Sequence, residues 1–380
     1  MTLSRRKTLA LLGGGAILAA GGVAAYGVTR TPQSALKPWT AAGGYSEPRM
    51  RALSYAILAP NPHNRQPWQV DLRTEGEVTL RVDTARLLPH TDPFNRQITV
   101  GLGCFLELMT LAAADDGYGV ELDLFPDGED PTGLDSRRVA VARFTQGGAA
   151  PDPLFAHVMD RRSLKEPFDT EAPVDPGALD AVLAVAQRTR VAGSVAAQDI
   201  ATYREISREA LRIEIETPHT YKESVDLFRI GSREVDANPD GIDFTGPMFE
   251  AMALTGTFTR EGALDRTSMA YTEGLKAVYA NVDTAMGHLW QVTPGNTRTD
   301  QIEAGRDWLR LNLATARAGL GMQPLSQGLQ EYPEMAAIYA DLHDRLAPEG
   351  GTVQMFARIG YGPDIGQSPR WPLESKIVNA

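Results

Sequence analysis

The sequence contains almost no cysteine and no excess of positive charge. Cys104 is the only cysteine among 380 residues, so an intramolecular disulfide and a zinc site built on several cysteines are both excluded. The formal net charge is −11, which excludes the basic surface of a nucleic-acid-binding protein. Hydrophobic residues make up 43% of the chain and charged residues 22%, a balance typical of one large globular domain or two closely packed ones.

The first thirty residues have the layout of an export signal. A short basic stretch with the pair Arg5-Arg6 precedes an uncharged, glycine-rich and alanine-rich run from Ala10 to Val28. A twin-arginine signal has this order, and the alternative is a single membrane helix of about 19 residues. We expect the twin-arginine translocase to export the protein in folded form, to the periplasm or as a membrane-anchored protein on the outer face. The sequence does not decide whether the signal is cleaved.

The body of the protein is strongly acidic. Four of the 37 basic residues and none of the 48 acidic ones lie in residues 1–30, so the remainder carries a net charge near −15. Export by the twin-arginine route is associated with proteins that fold before transport, often around a cofactor. This favours a bound cofactor without identifying it.

The hydrophobic pattern of the body predicts an α+β protein. Alternating apolar residues on both sides of Glu75-Gly76 predict a hairpin over 68–72 and 78–82. Strands are predicted at 119–125, 138–144 and 352–359, and helices at 49–59, 100–116, 153–160, 176–188, 197–216, 301–318 and 332–346. We interpret residues 45–150 and 151–380 as two halves, with a less regular insertion at 217–300.

Two helices of the body repeat each other at an offset of 202 residues. With Gly103 placed on Gly305, Leu111 falls on Leu313 and Gly117 on Gly319. The alternative is that two buried helices with glycine C-caps look alike by chance. If the repeat is a duplication, the halves are copies of one unit packed face to face, and a ligand is expected at the junction between them.

Three polar strings could carry chemistry. The first runs from Pro60 to Trp68 and presents Asn61, His63, Asn64 and Gln66 on a proline-braced turn. By composition alone, this string also fits a loop whose asparagines satisfy their own backbone.

The second string, residues 161–168, presents Arg161, Arg162, Ser163 and Lys165 before a turn. This grouping suits a phosphate, because guanidinium groups bind phosphate oxygens bidentately. A solvated charge cluster is the alternative. The third string is Ser368-Pro369-Arg370-Trp371-Pro372, an ordered segment near the C-terminus that we expect to be tied to the body.

Taken together, these strings resemble the nitroreductase-like flavoprotein family. Its flavin-facing Pro-Ser-x-x-Asn-x-Gln-Pro-Trp loop is matched by residues 60–68, with Asn61 at the usual serine, and its Arg-x-Ser-x-Lys segment by Arg161, Ser163 and Lys165. Gln323–Gly328 takes the place of a Pro-Ile-Glu-Gly turn, with Ser326 where the glutamate would be. Arg370 fits the arginine of a C-terminal Lys-x-Arg, and Ser368 replaces its lysine.

The order of the motifs is similar to the Acg-type branch of that family, a fused pseudo-dimer in one chain. Ordinary members carry the Arg-x-Ser segment first and form homodimers with two flavins. Here the Asn-Gln-Pro-Trp loop lies in the first half and the arginine segment in the second. The resemblance implies a three-layer sandwich with a mainly antiparallel sheet, two pseudo-repeated halves, a monomeric chain and one flavin site built from both halves.

The resemblance also implies a cofactor, FMN, and roles for the site residues. Arg161, Arg162 and Arg370 would bind the phosphate, Ser163 the ribityl chain, and Lys165 the pyrimidine edge of the ring. The turn at Pro324, Leu325 and Ser326 would offer a backbone N–H to flavin N5. The residues that would line the ring are Asn61, His63, Asn64 and Gln66. No protein side chain is predicted to be catalytic, because the flavin carries the chemistry.

The implied activity is the transfer of hydride or electrons from flavin N5 to a small nitroaromatic-like or quinone-like acceptor. NAD(P)H is cytoplasmic, so export leaves the electron donor unidentified. Two alternatives remain at this point: a flavin-binding or flavin-sequestering protein with little turnover, and a degenerate scaffold without flavin.

Other residues that could carry chemistry favour structural roles. His90 and Asp92 are too few to hold a metal and fit a turn. Cys104 lies on an apolar helix and fits a small core residue. The sequence therefore predicts no metal site. Gly101-Leu102-Gly103 lacks the third glycine of a dinucleotide-binding fingerprint.

Overall fold

The computed structural model describes residues 31–379. The predicted twin-arginine signal at 1–30 lies outside the described residues. The elements over residues 33–146 form the first half and are, in chain order, α1 Gln33–Ala41, α2 Pro48–Ala56, β1 Trp68–Asp71, β2 Glu77–Val82, α3 Arg96–Asp115, β3 Tyr118–Leu124 and β4 Arg138–Gln146.

A helical region follows, and it lies mostly outside the sheets. Its elements are α4 Pro176–Leu183, β5 Arg190–Ser194, α5 Ala197–Glu216, α6 Pro218–Asp226, β6 Phe228–Ile230, α7 Ser232–Ala237, β7 Ile242–Phe244, α8 Pro247–Thr255, α9 Arg260–Leu264 and α10 Met269–Asp283. The last part of the chain forms β8 Gly287–Thr293, α11 Arg298–Arg317, β9 Gly321–Pro324, α12 Ala336–Leu346, β10 Thr352–Gly360 and β11 Ile377–Asn379.

The strands form two main sheets with the same internal order. The first sheet runs β11-β1-β2-β4-β3 and the second runs β5-β8-β10-β9. Pairing is antiparallel throughout both sheets except where β11 joins β1 in parallel. The predicted α+β class with mainly antiparallel pairing is confirmed, although the strands divide among three sheets, the third being the parallel pair β6-β7.

In each of the two main sheets, a 20-residue helix connects the same two strands in chain order. Helix α3 separates β2 from β3, and α11 separates β8 from β9. The two helices begin at Arg96 and Arg298, which are 202 residues apart. The spacing of the sequence repeat is therefore also the spacing of these structural elements.

Helices α3 and α11 cross at two glycines that the repeat places on each other. A Cβ atom on Gly103 would lie 2.2 Å from the carbonyl oxygen of Ile302, and one on Gly305 would lie 2.0 Å from that of Val100. The two contacts are reciprocal, because Val100 and Ile302 are themselves 202 residues apart. Only glycine permits such a close approach of two backbones.

The first residues of both helices reach into the other half of the chain. Arg96 donates hydrogen bonds to the carbonyl oxygens of Leu329 and Gln354. Arg298 donates to the carbonyl oxygen of Asp130 over 2.8 Å. Both side chains are 1% exposed, so each guanidinium group links the two halves inside the fold.

The core is continuous across the two halves. Apolar side chains of α3 and α11 share one buried cluster with strands of both sheets. Among the described residues, α3 is the one helix long and apolar enough to cross a membrane, but 89% of its apolar window is buried inside the protein. An apolar helix buried on all sides is the central helix of a core.

Asp240 attaches the helical region to the first half and to the C-terminal tail. Its carboxylate accepts hydrogen bonds from Arg86 over 2.5 Å, from Arg229 over 2.7 Å and from the indole of Trp371 over 3.1 Å. The tail continues into β11, which pairs with β1. The prediction that the C-terminal segment is tied to the body is confirmed.

Several predicted elements need correction. The interpretation of 217–300 as irregular was wrong, because it contains five helices, and β8 at 287–293 is an inner strand of the second sheet. Residues 153–157 form a short 3-10 turn instead of a helix. The predicted helix 176–188 ends at Leu183, since the chain must then extend to form β5.

The crossing of α3 and α11 predicts opposite effects of alanine at two helical glycines. Gly103→Ala should lower the free energy of unfolding by about 1–3 kcal/mol, because its Cβ would overlap backbone atoms that cannot move cheaply. Gly274→Ala, in α10, is the matched control. Its Cβ would meet nothing within 4 Å, so it should raise stability by up to about 1 kcal/mol. Urea denaturation measures both, and equal effects would contradict the crossing.

Candidate functional site

The loop between α2 and β1 has an unusual backbone conformation. His63, Asn64 and Gln66 have φ values of 46°, 50° and 50°. This left-handed region costs a residue other than glycine roughly 1 kcal/mol or more, and such costs concentrate at functional sites. The Asn61 carboxamide oxygen stabilises the turn by accepting the Gln66 backbone N–H over 2.7 Å.

Gln66 joins three parts of the chain. Its side chain is fully buried and donates to the carbonyl oxygen of Pro239 over 2.7 Å. Its carboxamide oxygen accepts the backbone N–H of Trp371 over 2.8 Å. Gln66 thus fixes the loop of the first half against the helical region and the C-terminal tail.

Asn64 and Arg370 hold each other. The Asn64 oxygen accepts a hydrogen bond from Arg370 over 2.7 Å, and its NH₂ group donates to the carbonyl oxygen of Pro369 over 2.9 Å. The side-chain polar groups of Asn64 and Gln66 are therefore engaged within the protein, and these residues shape the site rather than present free hydrogen-bonding groups.

Arg161 and Arg370 come together although they are far apart in sequence. Both donate to the carbonyl oxygen of Leu58, over 3.1 Å and 3.0 Å. Arg161 also donates to the Asn312 side chain over 3.0 Å. Both arginines are almost fully buried, with exposures of 3% and 2%.

Arg162 completes a cluster of three guanidinium groups, which we call the arginine cluster: Arg161, Arg162 and Arg370. Arg162 is half-buried and donates to the carbonyl oxygen of Ile365 over 3.2 Å. The indole ring of Trp39 lies near two of the three groups, 5.3 Å from the Arg162 guanidinium carbon and 5.7 Å from that of Arg370.

No carboxylate of residues 31–379 lies within ion-pair distance of the arginine cluster, although Asp243, Asp364 and Asp160 act on it from farther away. None of its three members forms an ion pair with a carboxylate there. Burial, followed by repulsion from a neighbouring arginine, lowers the pKa of Arg161 to about 10 and that of Arg370 to about 9. The buried Nε of Arg370 also lacks a hydrogen-bond acceptor among these residues. Such a concentration of buried cations is an anion-binding arrangement.

We infer that Lys165 and His63 line a recess beside the arginine cluster, because Asp243 lies near both Lys165 and Arg370. The Lys165 side chain is exposed, yet the protein around it lowers its pKa through desolvation. A side chain that meets solvent and is still surrounded by protein lines a recess. Desolvation, with smaller effects of Lys165 and Arg65, lowers the pKa of His63 to about 3, so its imidazole is neutral at physiological pH.

Two acidic side chains also lie near Lys165. Asp243, in β7, and Glu214, in α5, are the acidic groups that oppose the lowering of the Lys165 pKa. Desolvation raises the pKa of Asp243, and it raises that of Glu214 to about 7. The Nδ1 atom of His63 is buried without a partner in the described part of the chain. The Lys165 side chain is thus accessible to a ligand, and His63 contributes a hydrogen-bonding position that the protein leaves unsatisfied.

The turn at 324–326 lies beside the Lys165 segment. Met322 in β9 accepts the Leu164 backbone N–H over 2.9 Å. The prediction that the turn offers a free N–H is wrong for Leu325, whose N–H donates to the carbonyl oxygen of Phe356 over 2.8 Å. Ser326 accepts a hydrogen bond from Gln97 at its carbonyl oxygen, over 3.4 Å.

Several residues that contribute to this site are not apparent from the sequence. Asn312 could have been noticed as a polar residue on the buried face of α11, where it contacts Arg161. Trp39, Asp243 and Asn281 gave no signal, because they lie on elements whose positions only the tertiary fold determines. Lys376, which is 4% exposed and donates to the Gln66 carbonyl oxygen over 2.8 Å, also supports the loop.

The remaining sequence candidates have structural roles. The Asp92 carboxylate accepts the backbone N–H groups of Gln97 and Ile98 over 3.0 Å and 2.8 Å, which caps the start of α3. The Cys104 thiol is buried and contacts the Gly305 carbonyl oxygen over 3.1 Å. Its interpretation as a small core residue is confirmed.

Part of the chain is similar to curated proteins of Mycobacterium tuberculosis. The "Putative NAD(P)H nitroreductase acg" of two strains is 32% identical over 120 residues, which is 31% of this chain and 36% of the relatives. The match therefore spans about a third of the length of these relatives. No protein-family model matches the chain.

Two solved structures align with the fold at low identity. The FMN-dependent nitroreductase NfnB from Mycobacterium smegmatis, in complex with NADPH, aligns with 58% of this chain and 94% of its own at 19% identity and a TM-score of 0.36. A "putative nitroreductase" from Anabaena variabilis aligns with 76% of this chain and 69% of its own at 11% identity and a TM-score of 0.36. TM-scores below 0.5 do not establish a shared fold, so the sequence relatives carry the likeness to nitroreductases.

Lys376 predicts a pH dependence of stability. Burial, followed by the charge of Arg86, lowers its pKa from 10.5 to about 7. Between pH 7 and pH 10.5 the Lys376 side chain is more fully protonated in the unfolded chain than in the folded protein. The contribution of Lys376 should therefore make the free energy of unfolding rise with pH by up to about 1.4 kcal/mol per pH unit. Urea denaturation at pH 7, 8 and 9 should show the wild type gaining stability relative to Lys376→Met. Parallel profiles of the two proteins would contradict this.

Proposed function

We propose that the protein binds FMN and acts as a nitroreductase-like oxidoreductase. The observation that carries the proposal is the arginine cluster, whose buried cations have no carboxylate within ion-pair distance among residues 31–379 and lie next to the recess of Lys165 and His63. A phosphate-bearing cofactor would supply the missing negative charge. The 32% identity with the mycobacterial relatives over 120 residues supports the same function.

The residues present fit an FMN molecule from phosphate to ring. Arg162 and Ser163 are partly accessible and would contact the phosphate and the ribityl chain. Arg161 and Arg370 are almost fully covered, so they would stabilise the phosphate by their positive charge from the protein interior. Lys165 would face the pyrimidine edge, and FMN, when bound, supplies the two-electron chemistry.

The chain's own residues would prepare the site for that chemistry. The ammonium group of Lys165 stabilises negative charge at the ring edge that it faces. Neutral His63 offers an uncharged hydrogen-bonding group to the ring. The loop that contains Asn61, Asn64 and Gln66 forms a rigid wall, because its polar groups are already bonded within the protein.

In this proposal the flavin site lies at the junction of the two halves. Arg161 and Arg162 follow the second-half boundary at residue 151, whereas His63 and Gln66 belong to the first half. We infer that the matching strand orders and the 202-residue offset of α3 and α11 reflect a duplication. A fused pseudo-dimer with one remaining flavin site accounts for both observations.

The proposed function predicts that the protein binds FMN and that the bound FMN can be reduced and reoxidised. The purified protein should take up FMN to give a yellow complex whose absorbance near 450 nm disappears with a reductant. A nitroaromatic compound or a quinone should then restore the absorbance. A protein that takes up no flavin would overturn the proposal, and one whose bound flavin resists every donor would instead favour sequestration. NADH, NADPH and dithionite are the donors to compare.

Arg162→Met tests the phosphate contact within the same experiment. FMN affinity should fall roughly 10-fold to 100-fold, since a charge-assisted hydrogen bond contributes about 1.5–3 kcal/mol, whereas riboflavin affinity should not change. Arg208→Met is the matched control, because Arg208 lies on the exposed surface of α5, where it forms an ion pair with Asp283 of α10. Equal losses for FMN and riboflavin would show that the phosphate lies elsewhere.

We further propose that residues 1–30 export the folded protein through the twin-arginine translocase. The support is the sequence alone, with Arg5-Arg6 before an uncharged segment. Replacing both arginines by lysine should retain the protein in the cytoplasm, because the paired guanidinium groups define this signal. Cell fractionation measures the distribution, with the same replacements at Arg137 and Arg138 as the control. Unchanged distribution of the Arg5-Arg6 variant would refute the proposed route.

A further inference from the structure

Arg358, in β10, is a buried cation that joins two segments of the proposed site. It is 0% exposed. Its guanidinium group donates to the carbonyl oxygens of Glu166 and Leu164 over 2.7 Å and 3.4 Å. The same group donates to the side-chain oxygens of Gln323 and Thr284 over 2.6 Å and 3.4 Å.

No carboxylate forms an ion pair with Arg358 in the part of the chain that the structure describes; its guanidinium carbon instead lies 3.9 Å from the centroid of the Phe168 ring. Burial lowers its pKa to about 9. A buried charge without a counter-charge opposes folding unless hydrogen bonds compensate it. Two of the four acceptors of Arg358 are backbone carbonyl groups of residues 164 and 166, so this residue helps to define the path of the chain between them.

The chain around Lys165 is held at each neighbouring residue. The Asn281 side chain donates to the carbonyl oxygen of Lys165 over 2.8 Å, and the Phe168 N–H donates to Thr284 over 3.0 Å. Arg358 binds the carbonyl groups immediately before and after Lys165. The backbone of Lys165 is therefore fixed, whereas its side chain is left exposed in the recess.

On its other side, Arg358 holds the start of the 324–326 turn. Gln323 immediately precedes Pro324 and accepts the shortest hydrogen bond of Arg358, at 2.6 Å. Gln323 and Arg358 are also direct partners in the pairing of β9 with β10. One rigid, planar group thus connects the Lys165 segment with the Pro324–Ser326 turn.

We propose that Arg358 is a positioning residue that holds Lys165 and the Pro324–Ser326 turn at a fixed separation around the bound flavin. This inference rests on the proposed function. Arg358 acts through Lys165, since its own guanidinium group is covered and its hydrogen bonds are directed at the protein. Lysine cannot replace it, because an ammonium group lacks the planar fork that reaches several acceptors at once.

Arg358→Met should weaken FMN binding by about tenfold and make the midpoint potential of the bound flavin more negative. The reason is that a displaced Lys165 no longer stabilises negative charge on the reduced ring. Arg358→Lys should recover only part of either effect. Redox titration and fluorescence titration of the reconstituted protein measure the two quantities.

A double-mutant cycle with Lys165→Met separates positioning from general damage. If Arg358 acts through Lys165, the change in potential of the double variant should equal that of Lys165→Met alone. Arg298→Met is the matched control. Arg298 is almost as buried as Arg358 and also donates to a backbone carbonyl oxygen, but that oxygen belongs to Asp130 in the first half, away from Lys165 in sequence. It should lower stability without changing the potential.

The outcomes distinguish this inference from the function on which it rests. A wild-type protein that binds no FMN overturns both. A wild-type protein that binds and reduces FMN, together with an Arg358→Met variant of unchanged potential, overturns the positioning role alone. Additive shifts in the double-mutant cycle would likewise show that Arg358 does not act through Lys165.

Discussion

Two buried guanidinium groups and a half-buried one lie together where the first-half loop meets the second half, and the structure supplies them with carbonyl and amide oxygens instead of carboxylates. Two of them, Arg161 and Arg370, converge on one carbonyl oxygen, that of Leu58. Repulsion within this cluster must be opposed by the surrounding fold or by a bound anion. The strained loop contacts this cluster through Asn64, the indole of Trp39 lies beside it, and the C-terminal tail contributes Arg370 to it.

The fold brings these cations together through contacts between the halves. The close crossing at Gly103 and Gly305 sets the distance between α3 and α11, and Asn312, which contacts Arg161, lies on α11. The C-terminal tail delivers Arg370 from the opposite end of the chain. No single half contains the site, so its formation depends on the same packing that forms the core.

The helical region contributes more than a cover to the site. Asp240 and Pro239 bind the first half and the tail, while Asn281 and Thr284, at the end of α10, bind the chain around Lys165. The middle and the end of this region therefore contact segments of the proposed cofactor site. A movement of the region would change the position of Lys165, because the two are connected by direct hydrogen bonds.

The sequence by itself determined the α+β class, the hairpin β1–β2, the two long central helices and their 202-residue offset, since each rests on local periodicity or on spacing along the chain. It also identified Arg161, Lys165, His63 and Arg370 as residues of interest. The tertiary structure alone decided that Asn64 and Gln66 bond to the protein, that the Leu325 N–H is already used, and that residues 217–283 form helices attached through Asp240. It likewise revealed Arg358, Asn281 and Trp39. Most of these features depend on contacts between residues more than a hundred positions apart, and the Leu325 N–H is bonded to Phe356, 31 positions away. A hydrogen-bond partner at such a separation leaves no mark on the local pattern of the sequence.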